Sequence, residues 1–300
     1  MIPIEDGSKS SLAKVESGTI ARPQEAAVPL TIGQLELNLL ARFPRGDAEE
    51  WDRMGILVGD PSEPVSGVAV ALDPTSDSIA ATSRANANVL LTHHPAFLEP
   101  PTVISPSRTI ANTAGANVFA AVSNGITLMN FHTALDVSAE ATRLLPKLLG
   151  FEFRGILVPS GDDRAKGYGQ LCDVSHDDAP FKLSQLAARC TARFGRPPRV
   201  WGDMNQTLET VVIANGSAGN VVDAAVQAGA NCLICGEIRY HAALDASQSG
   251  LAIIEIGHDA SELPLCAILA QAAIEAGIPS ELVTIIDQSE NWVIPDSTRL

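Results

Sequence analysis

From Thr31 onward, short apolar runs of β character alternate with Ala-rich stretches whose apolar positions recur at helical spacing. Thr31 and Gln34 have the spacing of a capping box, and Ile32, Leu35 and Leu39 follow on one helical face. Strands are predicted over residues 66–72, 88–92, 126–131, 210–214, 231–235 and 252–256. Helices are predicted over 77–85, 139–149, 220–228, 238–248 and 262–276. Residues 1–28 are polar and aperiodic and read as a mobile tail. Strand and helix in alternation imply an α/β fold with largely parallel sheets.

A diverged repeat runs through this pattern. Residues 68–94 align without a gap on residues 211–237, matching Ala71, Ala81, Ala85, Ala87, Asn88 and Leu90 to Ala214, Ala224, Ala228, Ala230, Asn231 and Leu233. Each copy reads as strand, helix, strand. The likeness continues through residues 125–128 and 250–253 to His132/Asp136 and His258/Glu262, both of the form His-x-x-x-acid. Ala-rich α/β segments also resemble one another by chance. A true repeat would give two similar α/β lobes, 29–155 and 156–300, facing each other around a cleft. The C-terminal segment is also free to pack on the first lobe. Ligands of open α/β sheets collect beyond the carboxyl ends of the strands, which places His93-His94 and Gly236-Glu237 there.

Composition narrows the function. The 300 residues are 46% hydrophobic and only 4% aromatic, so the core is built from Val, Ile, Leu and Ala. A formal net charge of −15 with scattered Lys and Arg argues against general nucleic-acid binding. No stretch is apolar for long enough to span a membrane, and the start lacks a signal-peptide pattern, so the expected location is cytoplasmic. The five cysteines read as reduced thiols, including Cys232 and Cys235, whose CxxC spacing falls inside an apolar strand. Gly167-Tyr168-Gly169 lacks the third glycine of a dinucleotide loop, and neither a GxxxxGK[ST] loop nor a GxSxG elbow occurs.

The histidines carry the chemistry. There are six, and five of them (His93, His94, His132, His241 and His258) sit at predicted strand ends or at the start of the following helix. His176 lies in a polar stretch and reads as a surface residue. His93 and His94 follow an apolar strand and precede Pro95, a bend at which both rings could reach one cleft. Alternatively, one packs and the other is solvated. His258 and Glu262, four apart, share a helical face, unless Glu262 merely suits the helix dipole.

Imidazoles and carboxylates without a thiolate suit two divalent ions such as Zn, Fe, Mn, Ni or Co. Ions roughly 3.5–4 Å apart need a bridging carboxylate, and Glu262 is the choice for it. The expected partition sets His94, Asp136 and Glu262 on one ion, and His93, His258 and Glu262 on the other. His132 reads as a group behind the ligands that orients Asp136, with direct ligation or plain packing as alternatives. Glu237 and His241 are candidates for general acid, general base or substrate contact, alongside Glu262, unless they are only a polar helix start.

The segments WDRMGILVGDP (51–61), NVLLTHHPAF (88–97), HTALD (132–136), GEIRYHAALDA (236–246) and GHDASE (257–262) resemble the signatures of the GTP cyclohydrolase I type 2-like family, also known as Ngg-interacting-factor-three-like dinuclear metal proteins. The likeness covers nearly all of residues 30–295. It implies His93, His94, Asp136, His258 and Glu262 as metal ligands, two α/β lobes around them, and a ring-like hexamer. Arg53 stands where the family usually has Asn, Glu237 replaces a frequent Asp, and the middle domain of longer relatives is absent. The expected function is a metal-dependent hydrolase of GTP cyclohydrolase type acting on a small molecule, such as a nucleotide. The ions would lower the pKa of a bound water toward neutrality. The alternatives are a non-catalytic metal-binding scaffold or regulator, and a metal-handling protein.

Overall fold

The computed structural model describes residues 29–161, 163–174 and 180–292. The expected tail over 1–28 and His176 lie outside the described residues. Helix α1 (Ile32–Arg42) begins on the capping box: Gln34 N donates to Thr31 Oγ1 at 3.2 Å, and Thr31 N to Gln34 Oε1 at 2.9 Å. Next come β1 (Gly55–Val58), β2 (Val68–Ala71), α2 (Ser76–Arg84), β3 (Val89–Thr92) and α3 (Thr113–Ser123). They lead into β4 (Thr127–Asn130), the single turn α4 (Thr133–Asp136) and α5 (Ala141–Leu149). A long hairpin, β5 (Glu152–Ser160) and β6 (Asp163–Asp173), precedes β7 (Phe181–Lys182), α6 (Leu183–Phe194), β8 (Arg199–Trp201) and β9 (Thr207–Leu208). The remainder is β10 (Thr210–Ser217), α7 (Val221–Gln227), β11 (Cys232–Glu237), α8 (Tyr240–Gln248), β12 (Ala252–Glu255), α9 (His258–Glu262), α10 (Leu265–Glu275) and β13 (Val283–Ile285).

Two large sheets result. The first has the order β1-β4-β3-β2-β13, parallel except for β1. The second has the order β5-β6-β10-β11-β12-β8, with a parallel centre of β10, β11 and β12. Strands β2 and β3 are buried at every position, because helices cover both faces of their sheet. Leu35 and Leu39 of α1 and Leu265 and Leu269 of α10 pack on one face of the first sheet, Ile79 and Ala121 on the other. Around the second sheet, Leu145 and Leu186 occupy one face, Val221 and Ala243 the opposite one. Cys232 and Cys235 fall on opposite faces of β11, and all five cysteines are buried free thiols.

Both aligned segments fold as strand, helix and parallel strand. Val68 pairs with Val89, and Val211 with Cys232, which are equivalent positions in the alignment. The boundary expected at 155/156 falls inside β5, and β13 returns to the first sheet, where Val283 pairs with Val68. The helix expected over 262–276 is divided. Pro264 has no N–H to continue the ladder, so α9 ends at Glu262 and Pro264 caps α10. The carboxyl ends of the two parallel strand sets meet: Asn215 of β10 donates through Nδ2 to Asp136 Oδ1 of α4 at 2.5 Å. Among the described residues no helix is long and apolar enough to cross a membrane.

Candidate metal centre

Strand β3 delivers the histidine pair. His93 N donates to Ala71 O at 3.2 Å and His94 N to Leu72 O at 2.9 Å, which extends the β2–β3 ladder by two residues. The two rings then diverge. His93 is fully buried, with Nδ1 3.3 Å from Phe131 O, so its Nε2 faces Asp136, just after β4 of the same sheet, at 3.6 Å. Asp73, at 2.8 Å from His94 Nδ1, turns the His94 ring toward the second sheet. There its Nε2 meets Glu262 Oε2 at 2.9 Å.

Helix α9, which follows β12 of the second sheet, supplies the facing side. Gly257 carries φ 105°, a conformation that favours glycine, and aims the chain into the helix at His258. One turn later Glu262 returns to the same face, with Oε2 3.0 Å from His258 Nε2. Strand β10 approaches so closely that a Cβ on Gly216 would collide with Glu262 Oε1. Gly216 N is held by Ser261 Oγ at 2.8 Å. Glu237, at the end of β11, lies 3.3 Å from His258 Nδ1.

Glu262 thus stands between two sets of donors. Its Oε1 is 3.7 Å from His93 Nε2, beside Asp136, while Oε2 contacts His94 and His258. In each of these sets, His93/Asp136/Glu262 and His94/His258/Glu262, the candidate ligand atoms lie within 4.8 Å of one another. The partition differs from the expected one by an exchange of His93 and His94. Its cause is the anchoring of their Nδ1 atoms to Phe131 and Asp73. His93 Nε2 and Glu262 Oε2 are buried without a hydrogen-bond partner, although nitrogens and oxygens crowd around them. Donor atoms converging without directed hydrogen bonds fit cations held between them. The Nδ1 atoms fit too, since each faces a carbonyl or carboxylate and leaves Nε2 for the cluster.

The charges reinforce one another. Burial disfavours the Glu262 carboxylate, but the surrounding His93, His258 and His94 hold it well below the usual range. Burial likewise opposes protonation of His94, yet Asp73 and Glu262 push it up to about 10. His258 rises to about 9, chiefly through Glu262. Asp136 is pushed up by burial, against the pull of His93.

His132 pairs with Asp52, not with Asp136 as its sequence position suggested. Its Nδ1 is 3.0 Å from Asp52 Oδ1, and Thr133 donates to Oδ2 through N at 3.0 Å and Oγ1 at 2.5 Å. Burial resists ionisation of Asp52, yet these contacts bring it down to about 2. The His132 ring lies 5.2 Å from that of His93 and 5.5 Å from that of His94, and these three histidines form a third set of possible donors.

A cavity of about 530 Å³ opens beside His94 and His258, lined further by Asp73, Glu237, Arg196 and Trp292. Glu237 therefore reaches both His258 and the cavity. His241 does not: it is exposed on α8 against the edge of Tyr240, outside the cavity lining and the three donor sets. Asp52, Asp73 and Asn215 were missed by sequence reasoning. The one available signal was Asp52, inside the 51–61 segment.

Several known proteins are similar to this chain. A family model described as Duf34/NIF3 (NGG1p interacting factor 3) matches residues 30–290. A Streptomyces coelicolor protein named GTP cyclohydrolase 1 type 2 homolog is 30% identical over 75% of this chain and 79% of its own. One of the same name from Clostridium acetobutylicum is 27% identical over 86% and 95%. The crystal structure of a Staphylococcus aureus hypothetical protein superposes with a TM-score of 0.79 at 24% identity, covering 89% of this chain and 100% of that one. A Bacillus cereus protein related to NIF3 gives 0.78 at 17% identity, over 88% and 99%.

Proposed function

This chain belongs to the Duf34/NIF3 family, and on that premise we propose that it is a hydrolase dependent on two divalent metal ions. His93, Asp136 and Glu262 Oε1 would hold one ion, and His94, His258 and Glu262 Oε2 the other. The observation that carries this reading is Glu262: it is buried, it presents one oxygen to each donor set, and Oε2 has no hydrogen-bond partner. Divalent ions of the Zn, Fe, Mn, Ni or Co type would supply Lewis-acid activation of water there.

The residues around them have separable tasks. Asp73 and Glu237 fix the Nδ1 sides of His94 and His258, which keeps each Nε2 on Glu262. Asp52 fixes His132 in the same way, leaving its Nε2 to hold or pass a proton on the cluster side. Glu237, on the cavity wall, is placed to take a proton from water or substrate. The substrate is a small molecule, and the relatives' name makes a GTP cyclohydrolase-type ring opening the first reaction to assay, on GTP and on its nucleoside side by side.

Elemental analysis of the purified protein should find close to two metal equivalents per chain, and far less in the His94→Ala/Glu262→Ala double variant. Unchanged metal in that variant would refute the ligand set. Metal-loaded protein that turns over no nucleotide, phosphoester or cyclic amide, while Glu262→Ala still binds partners, would instead support a scaffold. Transfer of metal to an acceptor protein within seconds would support metal delivery.

A further inference from the structure

We propose that the cavity beside the metal centre takes an uncharged planar heterocycle, such as a free base or nucleoside, and discriminates against nucleoside triphosphates. The inference rests on the hydrolase reading for its location, and it concerns what the cavity walls select.

Charge balance carries the argument. Two arginines line the cavity, and each is already committed. Arg196 Nη2 is 2.5 Å from Asp259 Oδ1. Arg199 grips Glu255 with Nε at 2.9 Å and Nη2 at 2.6 Å. No lysine is among the described residues of the lining. Beside the centre, Asp73 faces His94 and Glu237 faces His258, while Asp136 and Glu262 lie within it. Two divalent ions would be matched in charge by these four carboxylates. A triphosphate would therefore enter a cavity with no surplus positive charge, on a chain of net charge −15. Its phosphates would meet guanidinium groups whose charge is already balanced, with the Glu255 and Asp259 carboxylates beside them to repel further negative charge.

The rest of the wall suits a neutral ring. Leu72, Pro197 and Ile256 are apolar, and Trp292, seated 4.2 Å from the Arg196 guanidinium, adds an aromatic surface. Arg196 lies close against Gly257, where the absence of a side chain leaves room for its Nη2: a Cβ there would come within 2.9 Å. A volume of about 530 Å³ accommodates a nucleoside.

Calorimetric titration of the full metal-loaded chain with inosine and with inosine triphosphate, at near-physiological salt, tests this directly. Inosine should bind at least about tenfold more tightly, because the triphosphate gives up hydration of its charged phosphates without gaining an uncompensated cation in the wall. Trp292→Ala should weaken inosine by about tenfold, as loss of a stacking surface does, and leave the triphosphate unchanged. Glu255→Gln/Asp259→Asn, which frees both guanidinium groups, should strengthen the triphosphate by about tenfold or more with metal content retained. Equal or tighter binding of the triphosphate by the unaltered protein overturns the inference, whether or not the double variant folds. Metal content and turnover, measured on the same samples, report separately on the hydrolase reading. Loss of both, with inosine still preferred, would sink that reading and spare this one.

Discussion

At Gly216 the backbone has φ 58°, and the space where a side chain would begin is filled by the carboxylate of Glu262. Gly216→Ala should therefore combine a backbone penalty of about 1–2 kcal/mol with displacement of Glu262. Elemental analysis should show depleted metal in a protein that circular dichroism still reports as folded. Asp52 has a different task, since it holds His132 from behind. Asp52→Asn keeps the shape and weakens that hold, with an expected loss of about 10–100-fold in metal affinity or turnover; normal values for both would assign Asp52 to folding alone. At this scale the sequence exposed what is local. His93-His94 and His258/Glu262 are recognisable because adjacency and a spacing of four fix their relative directions. Asp73, Asn215 and Asp52 are recognisable only once sequence separations of 21, 79 and 80 positions have been folded away. The exchange of His93 and His94 between the two sets has the same origin, because it depends on Phe131 and Asp73.

The central parallel strands are legible as elements because each is a short apolar run, as in Val89–Thr92 and Cys232–Glu237. The hairpin β5–β6 is not. Its residues 163–170 mix charge with Gly167 and Gly169, and pairing with β5 makes them a strand, which β10 joins only from Gln170 onward. Helix α6 is legible in the spacing of Leu183, Leu186, Ala187 and Cys190, although it is not among the predicted helices, whereas the three largely exposed residues of β13 carry little pattern. Just after β13, buried Gln288 accepts from Leu72 N at 2.8 Å and Asp73 N at 2.9 Å through Oε1, bracing the segment that carries the carboxylate behind His94. Gln288→Leu leaves these donors unpaired and should cost about 1–3 kcal/mol in urea denaturation. A drop in metal affinity should accompany it, and unchanged affinity would show that this brace does not reach the centre.

The molecule as a whole brings its ligands from both sheets, and its pH response follows. In metal-free protein, His94 and His258 titrate at about 10 and about 9, above the ordinary 6.5. Their protonation thus stabilises the fold fully below pH 6.5, and that stabilisation is lost as pH rises through 9 and 10. With chelator present, thermal stability should fall between pH 7 and 10. With metal present the trend should reverse, because ligation needs neutral imidazoles and tightens as protons leave. A flat chelated profile would contradict the charge arrangement. The two-sheet plan was readable from the alternation of elements, and the aligned segments share a register. The contribution of β13 to the first sheet was not readable, since nothing near residue 68 signals a partner at 283. That pairing has a consequence for the nascent polypeptide. At about 5–20 residues per second, β2 leaves the ribosome many seconds before β13 exists to cover its edge. Until then a naked apolar strand is open to wrong partners, so a chaperone that shields it during translation should raise the yield of folded chain.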